Sequence, residues 1–228
     1  MISLTIPTVI LALLFFSITV PLSSNETVAS LQTTKNLDYC FDGEISRSVL
    51  ENYLARSATV ASLLHFTLDD DLRMMSNTGV KFAGRVIWMW GNESRIDALV
   101  RKGKPFVKRI HIMDPDIILQ GAIFEIVTRD VDNVVIPASV FKEFGLRPEV
   151  RNFRYSDMLY SLGRRVDHWA EGSSVPDMSR LETRMWFFYV GKRWIDMGLE
   201  AIHFGQVEIM DDRDRDHTHW RDMMKRIR

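Results

Sequence analysis

Residues 195–207, "IDMGLEAIHFGQV", run from the end of a helix through a glycine into a strand, and residues 76–88, "SNTGVKFAGRVIW", do the same. In both, the glycine (Gly198, Gly79) stands where a helix C-cap calls for a left-handed residue, and a β-branched or apolar run begins within two residues. This tight connection belongs to alternating β/α architecture. A third unit, residues 97–128, "DALVRKGKPFVKRIHIMDPDIILQGAIFEIVT", is a helical stretch, then "DPD", then a strand near 117–127. The strands at 80–91, 117–127 and 199–209 are apolar on both faces, as strands buried in a parallel sheet are. Each turns polar at its carboxyl end.

Outward from these units the reading is coarser. Residues 44–64 have helical spacing at Ile45, Val49, Leu50, Tyr53, Leu54, Val60, Leu63 and Leu64. A second helix, "LDDDLRMMSNTG" (68–79), is acidic in its first turn. A short helix opened by Pro137 and closed by Gly145 is followed by a long excursion through residue 175, rich in Arg, Tyr and Trp. Such excursions in β/α proteins follow a strand's carboxyl end and shape the site. A strong helix occupies 176–198 and an amphipathic one 216–228. Three strands with one more irregular strand within 128–175 predict an α/β fold, a partial (β/α)8 TIM-like barrel with parallel strands behind an N-terminal helical segment. The complete barrel needs eight strands and about 250 residues, so the chain reads as a C-terminally truncated barrel.

The 228 residues carry a formal net charge of -1, so no basic surplus invites nucleic acid. Residues 1–24 contain no charge, and "VILALLFF" followed by "SITVPLSS" predicts a signal peptide, with an uncleaved membrane anchor as the other reading. The sequons at Asn25 and Asn92 fit a secreted glycoprotein. Residues 25–43 read as a linker and 44–228 as the barrel domain. Cys40 is the single cysteine, which rules out an intrachain disulfide and reads as a structural or free thiol.

In a parallel β/α sheet a ligand lies outside the carboxyl ends of the strands. That search area holds Trp88 and Trp90 on the first strand, Glu125 on the second, and Gln206 and Glu208 on the third. Alternation puts Gln206 and Glu208 on one face with Phe204, and His203 on the other. Glu125 and Glu208 are the expected catalytic pair, reaching across the mouth, with one pKa raised so that it acts as an acid. Glycoside hydrolysis uses such a pair, about 5 Å apart in retaining enzymes and wider in inverting ones. Trp88 and Trp90 would stack a sugar ring, and Gln206 would orient a water or hydroxyl as a substrate-binding residue. The plainer alternatives are core tryptophans and carboxylates satisfied by Arg85, Arg184 or Arg193. Residues 211–219 hold four Asp and two His, but His217 and His219 are two apart, a spacing of no standard metal site. The aspartates read as helix caps. Neither a metal nor a cofactor is expected: no glycine-rich phosphate loop is present, and "EGSSV" (171–175) is no nucleophile elbow.

Together, "GVKFAGRVIWMWG" (79–91), "DPDIILQGAIFEIV" (114–127) and "GLEAIHFGQVEIM" (198–210) resemble the strands of secreted (β/α)8-barrel proteins of glycoside-hydrolase type. The resemblance covers residues 45–228, and the Asn-Glu pair of many barrel glycosidases is replaced by Phe124-Glu125. It implies a carbohydrate ligand and action on a glycosidic bond. A non-catalytic barrel that binds a glycan is the alternative. Membrane contact is expected only through an uncleaved leader, and self-association only through unpaired sheet edges.

Overall fold

The computed structural model describes residues 37–60 and 68–227. The leader and Asn25 lie outside the described residues. In chain order, a 3-10 turn at Leu37–Tyr39 precedes α1 (Arg47–Ala55), β1 (Ser57–Thr59), α2 (Leu68–Thr78), β2 (Phe82–Ile87), α3 (Ile96–Met113) and β3 (Ile118–Ile123). The excursion then supplies β4 (Val127–Thr128), α4 (Ala138–Glu143), α5 (Tyr155–Met158) and β5 (Ser173–Ser174). The chain returns through α6 (Leu181–Met197), β6 (Ala201–Phe204), α7 (Val207–Met210) and α8 (Thr218–Ile227).

The fold is α/β, built on one four-stranded parallel sheet ordered β1-β2-β3-β6. Sequence and spatial order coincide, and a helix precedes each return to the sheet, as parallel crossovers require. Both cap glycines are left-handed as expected, Gly79 with φ 64° and Gly198 with φ 109°. Ser46 caps α1, its hydroxyl accepting from the Val49 N–H at 3.3 Å.

One face of the sheet is sealed by helices. Trp194 of α6 is fully buried and donates its indole N–H to the Ala122 carbonyl at 3.1 Å. Phe204 on β6 meets Phe187 of α6 and Trp220 of α8, with ring centroids 6.4 and 5.4 Å away. Ile123 is paired with Phe204 and Ala122 with His203, so His203 and Ala122 point to the opposite face.

Three sequence readings change. The helix expected over 44–64 ends at Ala55, and Ser57–Thr59 pairs with β2 as an edge strand. Helical spacing continued across it because so short a strand has no period of its own. The strand expected over 199–209 is four residues long, and the chain coils at Val207 into α7. The excursion adds no strand to the sheet: β3 pairs directly with β6, while β4 and β5 form a separate antiparallel pair. The excursion is nonetheless well packed, with Phe141, Phe153, Met158 and Val175 buried. Among the described residues no helix is long and apolar enough to cross a membrane.

Candidate functional site

The carboxyl end of the sheet begins with an irregularity in β2. Ala83 pairs with Leu119 and Ile87 with Gly121, four steps on β2 against two on β3. The two extra residues form a bulge, a device that bends a strand and turns a side chain out of register. Within it Arg85 takes a left-handed backbone with φ 56°, a conformation that costs any residue with a Cβ. Its side chain is exposed, and its guanidinium lies 5.8 Å from the centre of the Phe124 ring.

Phe124, the first residue after β3, is the hub of an aromatic cluster. Trp88, Trp90 and His203 meet it edge-on, with centroids 5.7, 5.6 and 6.0 Å away. Trp169, from the excursion, packs edge-on to Trp90 at 5.1 Å and donates its indole N–H to the Glu125 carbonyl at 3.1 Å. Trp90 is 43% exposed although it belongs to this cluster. Two recesses flank it. One, of about 390 Å³, is lined by Thr59, Arg85, Trp88, Trp90 and Phe124. The other, of about 520 Å³, adjoins Asn92, Arg95 and Lys102.

Beneath the aromatics lies Glu125, 3% exposed. Its carboxylate accepts from the Gln206 backbone N–H at 2.9 Å and from the Gln206 side-chain amide at 3.1 Å. A buried carboxylate is tolerable only with such donors. Gly205 makes the approach feasible, because a Cβ there would overlap the Glu125 carboxylate and stand 3.1 Å from the Glu125 backbone nitrogen. The pair therefore ties the end of β3 to the end of β6.

A second buried carboxylate steadies the rim. Glu93, in the turn after β2, is 3% exposed and accepts from the Thr128 N–H at 2.7 Å and its hydroxyl at 2.5 Å. Burial raises its pKa above the ordinary glutamate value, against the pull of the Thr128 hydrogen bonds. The His203 pKa is lowered, first by burial and then by the nearby Arg85 guanidinium, with the Glu125 carboxylate opposing. The imidazole at the mouth is thus biased toward its neutral form.

No family model matches the chain, and no curated protein matches it.

The structure brings some of the anticipated residues together and separates others. Trp88 and Trp90 share Phe124 as a neighbour, and Gln206 is bonded to Glu125. Glu208 is exposed on α7, where it shares no strand face with Gln206, because β6 ends at Phe204. His203, which alternation had set apart from the site residues, faces the aromatic cluster instead. Sequence named Arg85 only as a partner for a buried carboxylate, a role that Gln206 fills at Glu125, and it did not single out Phe124 or Trp169. Trp169 had a partial signal in the Trp-bearing excursion, and Phe124 in its place beside Glu125. Nothing in the sequence marks the bulge that presents Arg85.

The Asp- and His-rich stretch is spent on structure. The Asp214 carboxylate caps α8, accepting from the N–H groups of His219 and Trp220 at 2.8 and 3.0 Å. Asp211 pairs with His217, and Asp212 holds Arg164 and Arg165 at 2.7 and 2.8 Å. Among the described residues, no group of three or more His, Cys, Asp or Glu is placed to hold a metal ion.

Proposed function

We propose that this chain is a saccharide-binding protein of the (β/α)8-barrel type, its ligand seated on the aromatic cluster at the carboxyl ends of the strands. The observation that carries the reading is the half-exposed Trp90, backed by Phe124 and Trp169 and flanked by two recesses. Sugar rings present apolar C–H faces that stack on such surfaces. The barrel assignment is supported by strand order: sequential parallel strands are the pattern of a barrel, whereas doubly wound sheets reverse their order at a switch point. The uncharged apolar leader and the sequons at Asn25 and Asn92 support a secreted glycoprotein, and Asn92 is exposed beside the second recess.

A second reading, hydrolysis of a glycosidic bond, is favoured by the buried Glu125, whose main-chain carbonyl receives the Trp169 indole N–H and whose carboxylate is bonded to Gln206. In that case Glu125 serves as one carboxylate and the exposed Glu208 on α7 as the other.

Titration of the full chain with a panel of oligosaccharides, followed by tryptophan fluorescence, separates the readings. Trp90→Ala weakens binding by about tenfold or more while lowering stability by about 1–3 kcal/mol, the cost of its contacts with Phe124 and Trp169, so affinity is compared under conditions where the variant is folded. Undiminished saccharide affinity in that variant would sink the binding site. Release of reducing sugar that disappears in Glu208→Gln would establish the hydrolytic reading in place of simple binding.

A further inference from the structure

We infer that the ligand of the aromatic cluster is an acidic saccharide, whose sugar carboxylate is received by Arg85. This rests on the saccharide reading above and adds the charge of the ligand. Three independent observations converge on Arg85. The first is its backbone: a bulge of two extra residues in β2 and a left-handed φ of 56° hold it in a conformation that glycine would adopt without penalty. Nothing in the helix-facing core asks for this, because Ala83 and Ile87 on either side keep their pairing with β3. The second is its charge. Among the described residues Arg85 is in no ion pair with a carboxylate, and Glu125, at the same end of the sheet, is bonded to Gln206 through both oxygens. The third is its place, in the wall of the 390 Å³ recess between Thr59 and the Trp88–Trp90–Phe124 surface.

A planar guanidinium offers two parallel N–H donors that match the two oxygens of a carboxylate. With its guanidinium 5.8 Å from the centre of the Phe124 ring, Arg85 stands beside the stacking surface. A hexuronate satisfies both demands at once, its ring face on the tryptophan and its carboxylate on the arginine.

The test uses the full chain and three matched probes: a digalacturonate, its methyl ester, and a galactose disaccharide carrying a sulfate ester. The expected result is that digalacturonate binds about tenfold or more tightly than its ester, in keeping with a charge-assisted hydrogen bond. Arg85→Gly erases that preference while melting no lower than the parent, because glycine relieves the left-handed backbone. Arg85→Lys retains part of it. Equal binding of acid and ester, or an unchanged preference in Arg85→Gly, overturns the acidic ligand and leaves the saccharide site standing. Tighter binding of the sulfate ester than of the uronate overturns the carboxylate assignment in favour of sulfate. Failure of all three probes and of neutral oligosaccharides overturns this inference together with the site beneath it.

Discussion

Lys81, just before β2, and Arg85, within its bulge, meet opposite fates. Lys81, at the amino end of β2, is saturated: its ammonium lies 2.8 Å from Asp114 and 3.9 Å from Asp116, and 4.9 Å over the ring of Tyr39. Beside it Tyr53 of α1 is 2% exposed, and its one O–H is shared between the carbonyls of Tyr39 at 3.0 Å and Asp116 at 2.8 Å. Around Lys81 and Tyr53 that end of the sheet is closed, the polar groups turned on one another. At the carboxyl end, Arg85 is exposed over a ring with no carboxylate partner among the described residues, and tryptophans lie half open around it. Polar groups that neutralise each other contribute to the fold alone, while groups held in place but unsatisfied are available to a ligand.

The largest effect is expected where the contrast is sharpest. Tyr53→Ala should cost about 3–5 kcal/mol, the range for deleting a buried aromatic, and leave saccharide affinity unchanged under conditions where the chain is folded. Urea denaturation with an unchanged m-value measures the first, and fluorescence titration the second. A Tyr53→Ala variant that lost binding while still folded would erase the division of labour between the two ends.

An intermediate effect is expected at the joint between β3 and β6. Gly205→Ala sets a methyl group against the Glu125 carboxylate and backbone, so the Glu125–Gln206 clamp must open. The stability loss should be about 1–3 kcal/mol, the usual cost of overpacking, and it should be accompanied by weakened ligand binding because Trp169 is bonded to the Glu125 carbonyl. This distinguishes the clamp from Tyr53, where stability falls alone. A variant with reduced stability but native affinity would show that Glu125 belongs with the closed end in kind, though it lies at the open one.

How much of this was legible in the sequence follows the same division. The repeated helix–glycine–strand units were readable because Gly79 and Gly198 occupy left-handed caps that few other residues tolerate, and the parallel sheet followed from them. Trp88, Trp90, Glu125 and Gln206 were readable as residues at strand ends. What escaped depends on tertiary geometry. The bulge at Arg85 changes register without changing composition. The three-residue β1 is defined only by its neighbour. The end of β6 at Phe204 is set by that ring turning into the helix layer, which also turns His203 toward the site and carries Glu208 off the strand.

The smallest effect is a pair of pH slopes that report the two ends separately. His203 has its pKa lowered by burial and by Arg85, so the unfolded chain binds the proton first as the solution is acidified. Stability therefore rises with pH in the window below the ordinary histidine value of about 6.5, and the contribution of neutral His203 is lost as pH falls through that window. Tyr53 has its pKa raised to about 12 by burial, with the charges of Asp116 and Asp114 adding to it. Here the folded chain holds the proton longer, so stability falls as pH rises between the ordinary tyrosine value of about 10 and that raised value. His203→Phe keeps an aromatic neighbour for Phe124 and should lessen the slope only on the acid limb of a melting-temperature profile, whereas Tyr53→Phe should lessen it only on the alkaline limb, which the raised Tyr155, Tyr160 and Tyr189 also shape. If either substitution altered both limbs, the two ends of the sheet would be electrostatically coupled, and the independence assigned to the ligand-binding end would have to be given up.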